Sequence, residues 1–352
     1  MGEVIEPSKR WTFRAPAEPR LFEAMGEQRV GRTVCFLCGR RLRRGSRSTE
    51  HVFPKWLQRR FNLWDQKLTL LNGSDIQYRK LTIPCCRTCN SAVLAPIEKA
   101  VERATARGPS AVRSLSKRTL YLWLAKILYG ILYKEGLLRT DQRNPKAGRL
   151  VRRTTLRGLE MHHRFLQGSR VPMRFLGFFP ASIFVFRLQK PANRKFQFNF
   201  RDSPVALALA FQLGSVGIVG ALQDGGAQET GFADYLNRYQ RFALHPLQFL
   251  ELVAHVFYKA ALFNRTPKYL TMEGSKALQV IQLPLQGFSA RPVYDEWSQE
   301  MYARILSFHT GLPLERVYAP PDRVATWLNG PDGEPRYFNL RDQPWYPDDG
   351  TA

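Results

Sequence analysis

The sequence predicts an α+β chain: a small cysteine-stapled unit near the N-terminus, followed by a larger part that mixes helices with an antiparallel sheet. Three observations carry this. The cysteines form two C-x2-C hooks, CFLC (35–38) and CRTC (86–89). Apolar runs of helical length stand at 116–138, 245–264 and 296–312. Between them, 171–222 is rich in aromatic and β-branched residues with polar breaks, as strands are. A hydrophobic share of 44% over 352 residues is ample for a core, and the length allows two domains.

The hooks come first. Each C-x2-C folds a tight knuckle that presents two thiolates, so Cys35, Cys38, Cys86 and Cys89 together suit one tetrahedral structural Zn2+. Four unrelated buried thiols would not explain why all 5 cysteines lie between 35 and 89. A redox pair would need a thioredoxin-like context, which is missing. Cys85 adjoins Cys86 and cannot easily join the same knuckle, so it reads as a buried spectator. Cysteines used as metal hooks point to a reducing compartment. The start, MGEVIEPSKRWTF, has no apolar stretch of a signal peptide, so a cytoplasmic location is expected.

The elements follow in order. Residues 1–30 are rich in proline and charge and read as a loose arm. A first domain is expected over 31–107. In it the first knuckle leads to a strand ending near Val52-Phe53, then a short helix opened by Pro54, since proline is favourable in a first turn. LTLLN (68–72) and IQYRKLTI (76–83) flank an Asn-Gly-Ser-Asp turn and read as a hairpin. A helix from Asn90 to Ala106 carries Leu94, Ile97 and Val101 on one face. Arg107-Gly108-Pro109-Ser110 marks a boundary. A second, mixed domain is expected over 108–330 and an extended tail over 331–352. The helix over 116–138 is apolar but for Lys126 and too short to span a bilayer, which makes it a buried helix and excludes a membrane partner. Gly214, Gly217 and Gly220 are turn or packing glycines, because no phosphate-cradling Gly-x-Gly-x-x-Gly joins a strand to a helix.

Between and after the hooks the chain reads STEHVFPKWL (48–57) and CNSAVLAPIEKAVE (89–102). With the hooks, these runs resemble the HNH, or ββα-metal, nuclease family in its zinc-stapled form, over about residues 31–106. The resemblance implies a small ββα-metal nuclease domain that hydrolyses phosphodiester bonds. It implies His51 as general base, and Glu50 and Asn90 as ligands of a catalytic Mg2+ or Mn2+. The residue types suit those roles. Imidazole titrates near neutral pH, and a hard ion prefers carboxylate and amide oxygens. On a strand, Glu50 and His51 point to opposite faces, so a bulge or the strand end must re-aim one of them. Asn90 is also a favoured helix cap. The middle Asn of the family motif, which braces the segment of the base, is missing: Leu81 or Thr82 stands near its place, with Asn72 as a substitute. Glu98 lies eight residues beyond Asn90, ~12 Å along a helix, too far to share an ion. It is expected to pair with an arginine.

Charge agrees with a nucleic-acid partner. Net charge is +24 and the pI about 10.3, a field that attracts phosphate backbones and makes binding salt-dependent. Between 31 and 60, Arg32, Arg40, Arg41, Arg43, Arg44, Arg47, Lys55, Arg59 and Arg60 face the single acid Glu50. Arg40, Arg41, Arg43, Arg44 and Arg47 would hold a strand beside the ion, and Lys55, Arg59 and Arg60 would grip backbone phosphate. Nothing indicates base-specific reading. DNA is the first expectation. An RNA substrate, or a zinc-stapled binding module or structural subunit without hydrolysis, are the other readings. A protein partner and the oligomeric state stay open. The remaining histidines, His162, His163, His245, His255 and His309, are scattered and carry no local signature.

Overall fold

The computed structural model describes residues 21–22, 31–136, 159–274, 276–287 and 289–340. The expected arm, apart from Leu21 and Phe22, lies outside these residues, as does the tail beyond 340.

The stapled unit is built on strand β1 (Arg47–His51) and strand β4 (Thr82–Cys86), which pair antiparallel with His51 opposite Thr82 and Arg47 opposite Cys86. Alternation puts Ser48 and Glu50 inward and leaves Arg47 and Thr49 exposed. Helix α1 (Lys55–Arg60) follows Pro54, as expected. Strands β2 (Lys67–Thr69) and β3 (Asp75–Gln77) form the hairpin around the Asn-Gly turn. It is shorter than the sequence suggested. IQYRKLTI is not one strand: a 3-10 turn at Tyr78–Lys80 interrupts it, and its second half leaves the hairpin to become β4. The turn lets Leu81 bury fully while its carbonyl accepts from Val52 N–H at 3.0 Å.

After the second hook the chain enters a π-helical stretch, Cys89–Leu94, and continues as α2 (Ala95–Arg107). Leu94 and Val101 are buried, and Ile97 half-buried, on the predicted face. Arg107 in the last turn complements the helix dipole. Gly108, at φ 101°, ends α2, and the short α3 (Pro109–Arg113) begins. Helix α4 (Lys117–Gly136) is buried almost all round from Leu120 onward. Such a helix belongs in a core. Among the described residues, no helix is long and apolar enough to cross a membrane.

Beyond α4, β6 (Ser182–Leu188), β7 (Phe198–Ser203), β8 (Ala208–Leu213), β9 (Val216–Ala221) and β10 (Ala243–Leu244) form a sheet ordered β10-β6-β9-β8-β7. It is antiparallel except where β10 joins β6. The run expected as its first strand, β5 (Met173–Leu176), leaves instead. It pairs parallel with β12 (Leu278–Gln282), which pairs with β11 (Tyr269–Glu273) in a separate sheet. Gly214 makes the left-handed turn between β8 and β9. A Cβ on Gly217 would lie 2.7 Å from the Phe249 ring, so glycine there permits the helix to approach.

Both faces of the large sheet are covered, which is why β8 and β9 are buried throughout and apolar but for Gln212. Leu209, Phe211 and Ile218 face one cluster; Ala208, Ala210 and Val219 face another. The second cluster is closed by helix Pro246–Leu262 through Phe249, Val253 and Phe257. Helix Gln299–Thr310 packs on the far side of that helix. The first cluster crosses the 107/108 boundary without a break. It contains Phe36, Val52, Phe53 and Leu57 of the stapled unit, Trp123 and Leu128 of α4, and Phe211 of the sheet. Phe53 meets Phe200 edge-on at 5.0 Å between ring centres.

Candidate metal centre and active site

The knuckle at Cys35 is closed by Gly39 N–H to Cys35 O at 3.0 Å and Cys35 N–H to Arg40 O at 2.9 Å. The end of β4 and the start of the π-helical stretch bring Cys86 and Cys89 to the same point. The four sulfurs of Cys35, Cys38, Cys86 and Cys89 lie within 4.8 Å of one another. Cys38 Sγ and Cys86 Sγ are 3.8 Å apart, close to the ~3.8 Å that two thiolates adopt around a tetrahedral Zn2+ with bonds near 2.3 Å. The Cys89 N–H donates to Cys86 Sγ at 3.4 Å, which favours a thiolate. Donor type, spacing and burial all fit a closed four-sulfur metal site. Cys85 is buried beside it, 4.0 Å from Cys35 Sγ, and is not one of the four.

His51 ends β1 and is half-buried, its ring 6.2 Å from that of Trp64. Burial, and then the nearby charges of Lys55 and Lys126, hold its pKa below the ordinary histidine value. The imidazole is therefore neutral at neutral pH and able to accept a proton.

Glu50 points the other way, into the core, and is only 4% exposed. Its Oε1 receives the Lys126 ammonium of α4 at 2.7 Å. Lys126, at 1% exposure, also meets Glu98 Oε1 at 2.6 Å and donates to the carbonyls of His51 at 2.9 Å and Val52 at 3.1 Å. An ammonium thus sits in a cage of four oxygens. Burial pushes the Glu50 carboxyl up to about 7 against the opposing pull of Lys126. Burial also works against the lysine charge, but the two carboxylates outweigh it and hold Lys126 as an ammonium. Glu98 is structural, as expected, but its partner is this lysine and not an arginine.

Asn90 lies in the first turn after the second hook. Its Nδ2 donates to Ser48 Oγ and to the Thr49 carbonyl, both at 3.0 Å, and so ties the helix start to β1. The sequence assigned Glu50 and Asn90 to one hard ion. The structure gives the first to Lys126 and uses the second's amide nitrogen as a backbone tie. As arranged, the pair does not fit Mg2+ or Mn2+, because an ion at Glu50 would have to displace the ammonium. Asn72 accepts from Ser74 N–H and Oγ within its own turn. The two carbonyls of the His51 segment are held by Lys126.

The predicted phosphate-gripping residues divide. Arg40, Arg41, Arg43, Arg44, Arg47, Lys55 and Arg59 are exposed. Arg60 is a packing residue: it donates to Thr105 Oγ1 at 2.8 Å and to the Glu102 carbonyl at 3.1 Å, and lies over the Trp56 ring. His162 and His163 are core residues. Their ring nitrogens bond the carbonyls of Ala125 and Phe36, and burial lowers each to about 4.

Sequence reasoning missed Lys126 as a member of this site. The signal was there: a lysine inside an apolar helix is almost never fully buried without acidic partners. No family model, no curated protein and no solved structure matches the chain.

Proposed function

We propose that this chain hydrolyses phosphodiester bonds in nucleic acid, DNA in the first place, as an endonuclease of the HNH type with His51 as its general base. The observation that carries the reading is His51 itself. It is a neutral, half-exposed imidazole at the end of a strand whose other end lies opposite Cys86 of the four-cysteine cluster, in a unit that carries exposed arginines. His51 takes a proton from the attacking water, and the cationic surroundings stabilise the charge that develops on the phosphate. Lys126 fixes the backbone of the base through two carbonyls. Zn2+ at the four cysteines is structural.

The second reading, a zinc-stapled binding module without hydrolysis, is favoured by one observation. Glu50, the carboxylate offered for a divalent ion, is already neutralised by Lys126. Cleavage of supercoiled plasmid with Mg2+, with Mn2+ and with neither, for wild type beside His51→Ala, separates the two. The nuclease reading expects nicking by wild type, and at least about a hundred-fold loss in a variant that keeps its zinc and its melting temperature. Equal cleavage by both proteins removes His51 from the mechanism. Salt-sensitive DNA binding without cleavage of DNA or RNA supports the binding module.

A further inference from the structure

A cavity of about 210 Å3 opens beside the β1–β4 strand pair. Arg32, Arg47, Thr49, Thr82 and Lys134 line it, and among the described residues no carboxylate does. Arg47, Thr49 and His51 alternate onto one face of β1, and Thr82 is directly opposite His51. Ser48, Ile83 and Pro84 line it as well, so the cavity runs along the strand pair and reaches Thr82, the residue opposite the proposed base. Among the described residues, neither Lys134 nor Arg32 forms an ion pair with a carboxylate. Lys134 is half-buried at the end of α4.

We infer that this cavity binds one phosphate of a nucleic-acid strand, with Arg32, Arg47 and Lys134 supplying charge and the hydroxyls of Thr49 and Thr82 supplying hydrogen bonds. Cations brought together without an acid repel one another and lose hydration, and an anion relieves both costs. Burial, and after it the Arg32 charge, hold the Lys134 pKa below the ordinary lysine value. That this phosphate neighbours the one cleaved rests on the nuclease reading; the binding itself does not.

A rival exists. A cavity of about 470 Å3 is lined by Arg60, Arg107, Lys190 and Arg194. There Arg60 is already committed to Thr105, Glu102 and Trp56, and the cavity lies away from the His51 face of β1.

The test is a salt titration of labelled duplex DNA binding, read by fluorescence anisotropy without added divalent ion. Lys134→Met with Arg32→Gln is compared with Lys190→Met with Arg194→Gln, an equal change of charge. The first pair is expected to weaken binding about ten-fold and to make the salt slope shallower by about one, because each neutralised phosphate contributes roughly 0.9 to it. The rival pair should change affinity less than about three-fold. Lys134→Arg should bind like wild type. Equal losses from both pairs would mean only the general field of a +24 chain, and a loss confined to the rival pair would move the site; either result overturns the inference. If the first pair melts early, the exposed Arg32→Gln alone must still shallow the slope. Because no cleavage is read, failure of the nuclease reading would leave this result standing.

Discussion

Two buried polar clusters flank the same strand pair, β1 and β4, and they solve the problem of buried charge in opposite ways. The four cysteines bring together sulfurs that, as thiolates, would be balanced by an ion from outside. Glu50 and Glu98 also bring anions together, but the chain supplies its own cation, Lys126, from a helix that begins after the boundary glycine. The first cluster is a site that an ion could complete. The second is complete in the polypeptide, and it carries the backbone of His51 as well as the charge. The difference separates a metal staple from an internal brace.

The sharpest way to break the comparison is to remove the ion. Cys86→Ser or exhaustive chelation should release one zinc per chain and unfold the stapled unit. Apparent zinc-binding free energies of about 10–16 kcal/mol are folding free energy in small zinc domains. Because the core continues past Gly108 into α4 and the sheet, the melting transition of the rest should fall too. Retention of both zinc and melting temperature by Cys86→Ser would show that the cluster is four thiols and not a metal site.

The brace should give a smaller effect with a different signature. Lys126→Met leaves two carboxylates in the core without their cation, and breaking a buried pair costs about 3–5 kcal/mol. The lower end is expected, since Glu50 can take up a proton. Adding Glu50→Gln and Glu98→Gln to Lys126→Met should recover much of the loss, because removing a whole buried ionic cluster is often nearly neutral. Chemical denaturation of the single and triple variants checks this. A triple variant no more stable than the single one would mean that the carbonyl contacts of Lys126, and not its charge, hold the strand pair.

How much of this was legible follows the same divide. The staple is local in pattern: two short hooks with fixed spacing state their ligands outright. The end of β1, the start of α1 and the end of α2 were readable for similar reasons, from Pro54 and from Gly108. The brace was not, because Lys126 is 76 residues from Glu50 along the chain, and only the packing of α4 brings them together. The same limit hid the exit of β4 from its hairpin and of β5 from the large sheet. Each strand pattern was visible, but strand partners are set by which faces bury, not by the run itself. Alternation did warn that Glu50 and His51 face opposite ways. No bulge re-aims either of them, and Lys126 is what meets the inward one.

The smallest expected effect is the one that separates the clusters by sign. Cysteine ligands must be deprotonated to hold the ion, so the staple weakens as pH falls. Glu50 runs the other way. Burial raises its pKa from the usual carboxylate value to about 7 in the folded chain. Between those two values the folded state binds more protons than the unfolded state, so this group's contribution to stability is full below that window and declines as pH rises through it. Glu50→Gln removes that decline. Unfolding free energies of wild type and Glu50→Gln, measured from pH 5 to pH 8 with zinc in excess, should diverge in slope, wild type losing ground relative to the variant as pH rises. His162 and His163, held near 4 by burial, gain stability for the fold with rising pH in both proteins and cancel in the difference. Parallel curves would mean that Glu50 is ionised throughout. In that case Lys126 neutralises it fully, and the cage behaves as a fixed ion pair with no proton to give up.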